Sequence, residues 1–160
     1  MQSDFVFTSE SVTRGHPDKL CDQISDAVVD HFLRQDPFAR VVTECAVSTG
    51  IVFISVKHVA DATVDVTNTA RRVIEDVGYA EGAFNARTCS VVTSLIEERA
   101  TAERKLDERR LEDEELGRIA AGEQATVSGY ACTHTPTLMP LPVWLANRVA
   151  RHLDAARMDG

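Results

Sequence analysis

The stretch Thr8–Phe32, TSESVTRGHPDKLCDQISDAVVDHF, decides how the first part of this chain folds. Its opening is rich in Ser, Thr and Gly with one Pro, which predicts a loop leading into a helix. Pro17 suits the first helical position, where a missing N–H costs nothing. Asp18 then falls in the first turn, where the helix dipole favours an anion. From there Leu20, Ile24, Ala27, Val28 and Phe32 recur at the spacing of one helical face, and Asp22, Asp26 and Asp30 make the opposite, solvated stripe. Asp36-Pro37 stops the helix, because a residue before proline is pushed out of helical geometry. Upstream, Phe5-Val6-Phe7 is a short apolar run with strand character.

Downstream, Arg40 to Ser48 alternates β-branched and polar residues, Thr49-Gly50 is a turn signal, and Ile51 to Val56 is apolar, which together predict a β-hairpin. Asp65 to Val77 places Val66, Ala70, Val73, Ile74 and Val77 on one helical face and ends at Gly78. Thr88 to Leu95 returns to strand character. Residues 97–118 carry dense charge of both signs with leucine only at positions 106, 111 and 116, a pattern that fits a solvated helix or a mobile loop. Ala125 to Thr133 is a further candidate strand. Leu141-Pro142 opens a last helix with Leu145, Val149, His152 and Leu153 on one face. The order of elements predicts an α+β fold in which helices pack on one face of a sheet.

Composition narrows the function. The chain has 160 residues, enough for one adequate core, with 44% hydrophobic and 26% charged residues. A formal net charge of -8 opposes binding to nucleic acid or to an anionic membrane. Cys21, Cys45, Cys89 and Cys132 are too scattered for a disulfide scaffold or a zinc site and read as packed thiols of a reducing compartment. No basic region followed by an apolar run opens the chain, and no apolar run is long enough to span a bilayer, so a cytoplasmic location is expected.

Gly15-His16-Pro17-Asp18-Lys19 concentrates the chemistry. It sets an imidazole, a carboxylate and an ammonium at a helix N-terminus, whose unpaired N–H groups bind anions such as phosphate. An imidazole there can stabilise a developing oxyanion, and a carboxylate can hold Mg²⁺ beside phosphates. A capping acid with an incidental histidine serves the same spacing.

The motif FTSESVTRGHPDK followed by DQISDAVVD resembles the opening of S-adenosylmethionine synthetases. QDPFARVVTE, STG, VGY, FNARTCSVV, SGYACT and LMPLPVWLANRVAR match that family in register. The resemblance covers about Phe5 to the C-terminus, so residues 1–160 correspond to the family's N-terminal region, which spans parts of its intertwined α/β units. It implies an enzyme in which methionine sulfur attacks C5′ of ATP and expels tripolyphosphate, later hydrolysed to phosphate and diphosphate. By residue match, His16 would contact ATP and act as the catalytic group, Asp18 would bind magnesium and Glu44 potassium. Glu10 would line the substrate site.

Three positions depart from that pattern. Lys57 stands where the family has a glutamate associated with the methionine amino group. Reversing the sign of such a pair at about 4 Å is unfavourable by roughly 4 kcal/mol at an effective dielectric near 20. Arg99 replaces a glutamine, and the family's GDQG reads Gly122-Glu123-Gln124-Ala125, with Glu123 for its aspartate. The later phosphate- and metal-binding residues of the family lie beyond the stretch that matches. The resemblance therefore implies a subunit of a split, hetero-oligomeric synthetase completed by a second synthetase-like polypeptide. Alternatives are a non-catalytic scaffold or regulatory subunit, a variant that takes a different sulfur substrate, and an excised fragment.

Overall fold

The computed structural model describes residues 6–98, 110–119 and 124–160. Close packing divides the chain into two compact units, one comprising residues 17–123 and the other residues 1–16 with 124–160.

In the first unit, helix α1 (Pro17–Gln35) precedes strands β1 (Arg40–Ser48) and β2 (Ile51–Val59), helix α2 (Val66–Asp76) and strand β3 (Ser90–Glu97). The sheet has the order β1-β2-β3, with β1 antiparallel and β3 parallel to the central β2. This is the α+β arrangement expected. The hairpin loop is Thr49-Gly50, and Thr49 takes a positive φ of 51°. Alternation along β2 is strict: Val52, Ile54 and Val56 are buried while Ile51, Phe53, Ser55 and Lys57 are exposed.

Both helices pack on the buried side of the sheet. Leu20, Ile24, Val28 and Phe32 of α1 and Ala70 and Ile74 of α2 join the three β2 residues in one core. Each large side chain so buried contributes about 1.5–3 kcal/mol. Asp22, Asp26 and Asp30 are exposed, as the spacing requires. His58, at the end of β2, stacks on Phe32 with ring centroids 4.7 Å apart.

The ends of α2 follow from local chemistry. Asp65 caps its N-terminus, its Oδ1 accepting from the Asn68 N–H at 2.9 Å. At the other end the Tyr79 N–H donates to Ile74 O and the Gly78 N–H to Glu75 O, the Schellman pattern, with Gly78 at φ 105°. Arg71 then donates to Cys89 O at 3.0 Å and Asn85 Nδ2 to Gly82 O at 2.8 Å, which fixes the loop delivering the chain to β3. Of the charge-dense segment, residues 99–109 lie outside the described residues. The rest contains the one-turn helix α3 (Asp113–Leu116).

In the second unit the described residues hold one helix, α4 (Leu141–Asp159), with Pro142 in its first turn. Two strand expectations are corrected here. Ala125 to Thr133 forms no strand: the segment has no regular secondary structure and, apart from the half-buried Cys132, is exposed, Val127 by 90%. A strand needs a neighbouring ladder, and among the described residues no strand pairs with this segment, whose Cys132 N–H donates locally to Leu138 O at 3.0 Å. Val6 and Phe7 likewise lie outside any strand. Leu145, Val149, His152 and Leu153 share one face of α4, as their spacing predicts, and that face is exposed, with Leu145 at 47%, Val149 at 58% and Leu153 at 61%. The packed face runs through Asn147, Ala150 and Asp154, and Ala150 is its buried residue.

Candidate active-site residues

His16 ends the loop that belongs to the second unit. Its backbone N–H donates to Thr13 O at 3.0 Å, closing a turn, and its side chain is half-buried. Two side chains of that loop are tied to α4. Ser11 Oγ donates to Asn147 Oδ1 at 2.7 Å, and Arg14 Nε pairs with Asp154 Oδ2 at 2.8 Å. Arg157 Nη2 donates to Asp154 Oδ1 at 3.0 Å, so one carboxylate is ion-paired with two guanidinium groups. Glu10 is exposed on the same loop.

Asp18 lies exposed in the first turn of α1, in the first unit. The 19 residues of this helix align enough peptide dipoles to give its N-terminus roughly half a positive charge. The division between units falls between His16 and Pro17.

Glu44 occupies the sheet face opposite α1. It is paired in register with Ser55, which is paired with Ser94, so one row crosses three strands. Glu44, Ser55 and Ser94 line a shallow depression with Ala46, Phe53 and Val92. The sheet therefore separates Glu44 from α1, and the structure does not bring Glu44 and Asp18 together. Lys57 shares the outer face with Glu44, and its ammonium is 2.8 Å from Glu98 Oε1. The Lys57 ammonium is thus matched by an acid that directly follows β3. Nothing in the linear spacing pointed to Glu98, Asn147 or Asp154, because each meets its partner only through strand pairing or helix docking. Arg99 and Glu123 lie outside the described residues.

On the inner face, Cys45 faces α1. Burial pushes its thiol up to about 12, and the adjacent Cys21 thiol adds to this by charge and by a hydrogen bond.

The donors fit hard cations in kind but not in number. Asp18 offers one carboxylate, and the Glu44 row offers a carboxylate with two hydroxyls. Magnesium and potassium both take oxygen ligands. Among the described residues no group of three or more His, Cys, Asp and Glu side chains could hold a metal ion. Any such ion would draw its remaining ligands from phosphate oxygens, water or other chains.

A small sheet covered on one face by two helices, with a His-Pro-Asp sequence at the N-terminus of the first, describes an α+β module. The family model for the S-adenosylmethionine synthetase N-terminal domain matches residues 4–100, and that for the central domain matches residues 118–160. Similar proteins include the S-adenosylmethionine synthases of Trichodesmium erythraeum, 47% identical over 167 residues, and of Gloeothece citriformis, 45% identical over 167 residues. In both, all of this chain aligns with 40% of the relative. That of Prochlorococcus marinus (strain MIT 9211) is 46% identical over 162 residues, covering 99% of this chain and 40% of the relative. The chain belongs to the S-adenosylmethionine synthetase family. It spans about 40% of the length of the curated relatives it matches.

No helix among the described residues is long and apolar enough to cross a membrane.

Proposed function

We propose that this chain is a subunit of a split methionine adenosyltransferase, which makes S-adenosylmethionine from ATP and methionine once a second synthetase-like polypeptide completes the site. The observation that carries this reading is the intact Gly15-His16-Pro17-Asp18-Lys19 sequence at the start of a long helix. In the proposed reaction the methionine sulfur attacks C5′ of ATP, the C5′–O bond breaks, and tripolyphosphate leaves with the electron pair. The sulfur needs no base, so the burden falls on stabilising the departing oxygen and the phosphate charge. His16 donates a hydrogen bond to the departing oxygen. The N-terminal peptide groups of α1 face the phosphate charge, Asp18 holds magnesium against it, and Glu44 serves potassium on the outer sheet face. Magnesium, when bound, neutralises triphosphate charge. Glu10 and Glu123 line the substrate site, and cytoplasmic ATP and methionine are the substrates.

The test is co-expression with a polypeptide carrying the rest of the synthetase sequence, followed by measurement of S-adenosylmethionine. Product that requires both chains and falls about 10²–10³-fold in His16→Ala, the range for loss of an oxyanion donor, is the expected result. A rate indifferent to His16 would end the reading.

A second reading is a scaffold or regulatory subunit. It is favoured by Lys57, which sits where an acid is expected and is engaged by Glu98. In that case the other polypeptide turns over by itself and Asp18→Ala leaves its rate unchanged. The Lys57–Glu98 pair weighs against an anionic sulfur substrate, because the added ammonium already has a carboxylate partner.

A further inference from the structure

We infer that Asp154 and Asn147 of α4 are positioning residues, which hold the His16 loop in place through Arg14 and Ser11. The inference rests on the catalytic reading of His16, but its geometry stands apart from that reading. Residues 8–13 form no regular secondary structure, and only a turn at Arg14-Gly15 and a bend at His16 precede Pro17. Ordering such a segment costs backbone entropy, and that cost falls on ligand binding unless the loop is ordered beforehand.

Two ties supply that order. Asn147 and Asp154 are seven residues apart, two helical turns, and so lie on one face about 10 Å from each other. Asn147 accepts from Ser11 Oγ at 2.7 Å, and Asp154 pairs with Arg14 Nε at 2.8 Å. The tied residues bracket Val12-Thr13, and the second of them, Arg14, directly precedes Gly15-His16. The turn closed by His16 N–H on Thr13 O therefore hangs from two fixed points.

The Asp154 side chain is only 14% exposed, so solvent screens it weakly, and Arg157 on its other oxygen holds the carboxylate toward Arg14. Arg14 is thus committed to α4 and acts as a strut for the loop. Its guanidinium is not assigned to phosphate.

The experiment has two arms, both using the full chain. In the first, amide hydrogen exchange of residues 12–16 is compared between the native chain, Asp154→Asn and Asp154→Glu. Exchange at least tenfold faster in Asp154→Asn, with much of the protection restored in Asp154→Glu, is expected. Unchanged exchange overturns the inference, and a parallel melting curve separates loop release from global unfolding.

The second arm measures kinetics in the co-expressed complex. Asp154→Asn and Asn147→Ala should raise KM for ATP about tenfold, leaving KM for methionine within twofold. An active complex in which KM for ATP stays put removes the positioning role and leaves the catalytic reading standing. A complex that makes no S-adenosylmethionine removes the catalytic reading, and the exchange measurement then decides whether α4 holds the loop.

Discussion

Cys45 shows how a single side chain takes its chemistry from its neighbours. Its thiol is pushed up to about 12, first by burial and then by Cys21. The folded chain therefore keeps this proton at a pH where the unfolded thiol, with an ordinary value near 9, has lost it. Where the unfolded state binds fewer protons, stability falls as pH rises. The contribution of Cys45 is complete at neutral pH and is lost from about pH 9 toward 12, a loss that denaturant titrations across that range should record. At pH 8 Cys45 should also resist iodoacetamide in the native chain and react readily once the chain is unfolded in urea, as read by peptide mapping. Asp65 makes a second case: Asp65→Ala should cost about 1 kcal/mol by removing the side-chain acceptor for Asn68 N–H, measured by urea unfolding. At this scale the capping acid was legible as the start of a helix, and so were His16 and Asp18, because a helix N-terminus announces itself in local sequence. The partners of Lys57 and Arg14 were not, since surface charge is abundant and carries no address.

Among the elements, α1 and α2 came directly from spacing. Every large apolar residue on the predicted face of α1 is buried, which a 3.6-residue repeat guarantees whenever a sheet is there to receive it. Helix α4 carries an equally clear repeat and yet turns Leu145, Val149 and Leu153 outward. Periodicity identifies a face but does not supply the surface it packs on. The difference predicts contrasting mutants. Ile24→Ala should destabilise the chain by about 2–5 kcal/mol, with the usual cavity cost, whereas Leu153→Ala should stay within about 0.5 kcal/mol in the same urea experiment. The strand expected over Ala125 to Thr133 failed for a related reason. A strand is a property of a ladder, and no described strand pairs with this segment.

Across the molecule, apolar surface remains uncovered on both units. The outer face of the sheet exposes Val42, Phe53, Val92 and Ile96, and α4 exposes its leucine and valine stripe. Exposed patches of this kind mark places where other protein packs. The reading of this chain as part of a larger synthetase makes a direct prediction: the chain by itself should bind a hydrophobic dye strongly, and the complementary polypeptide should suppress that signal. Leu145→Glu with Val149→Glu should abolish co-purification of the two chains and leave the melting temperature of this chain nearly unchanged. A pair that still co-purifies would show that α4 lies outside the interface.

What the sequence determined by itself was whatever depends on near neighbours: the helices, the hairpin, the caps, the family motif and the α+β class. These rest on dihedral preferences and on periodicity, which act over a few residues. Which face of α4 packs, which sheet face carries Glu44, and which acids answer Lys57 and Arg14 were decided only by the tertiary structure. Those outcomes depend on surfaces brought together from distant parts of the chain, and the free energy of a contact is written in neither partner alone.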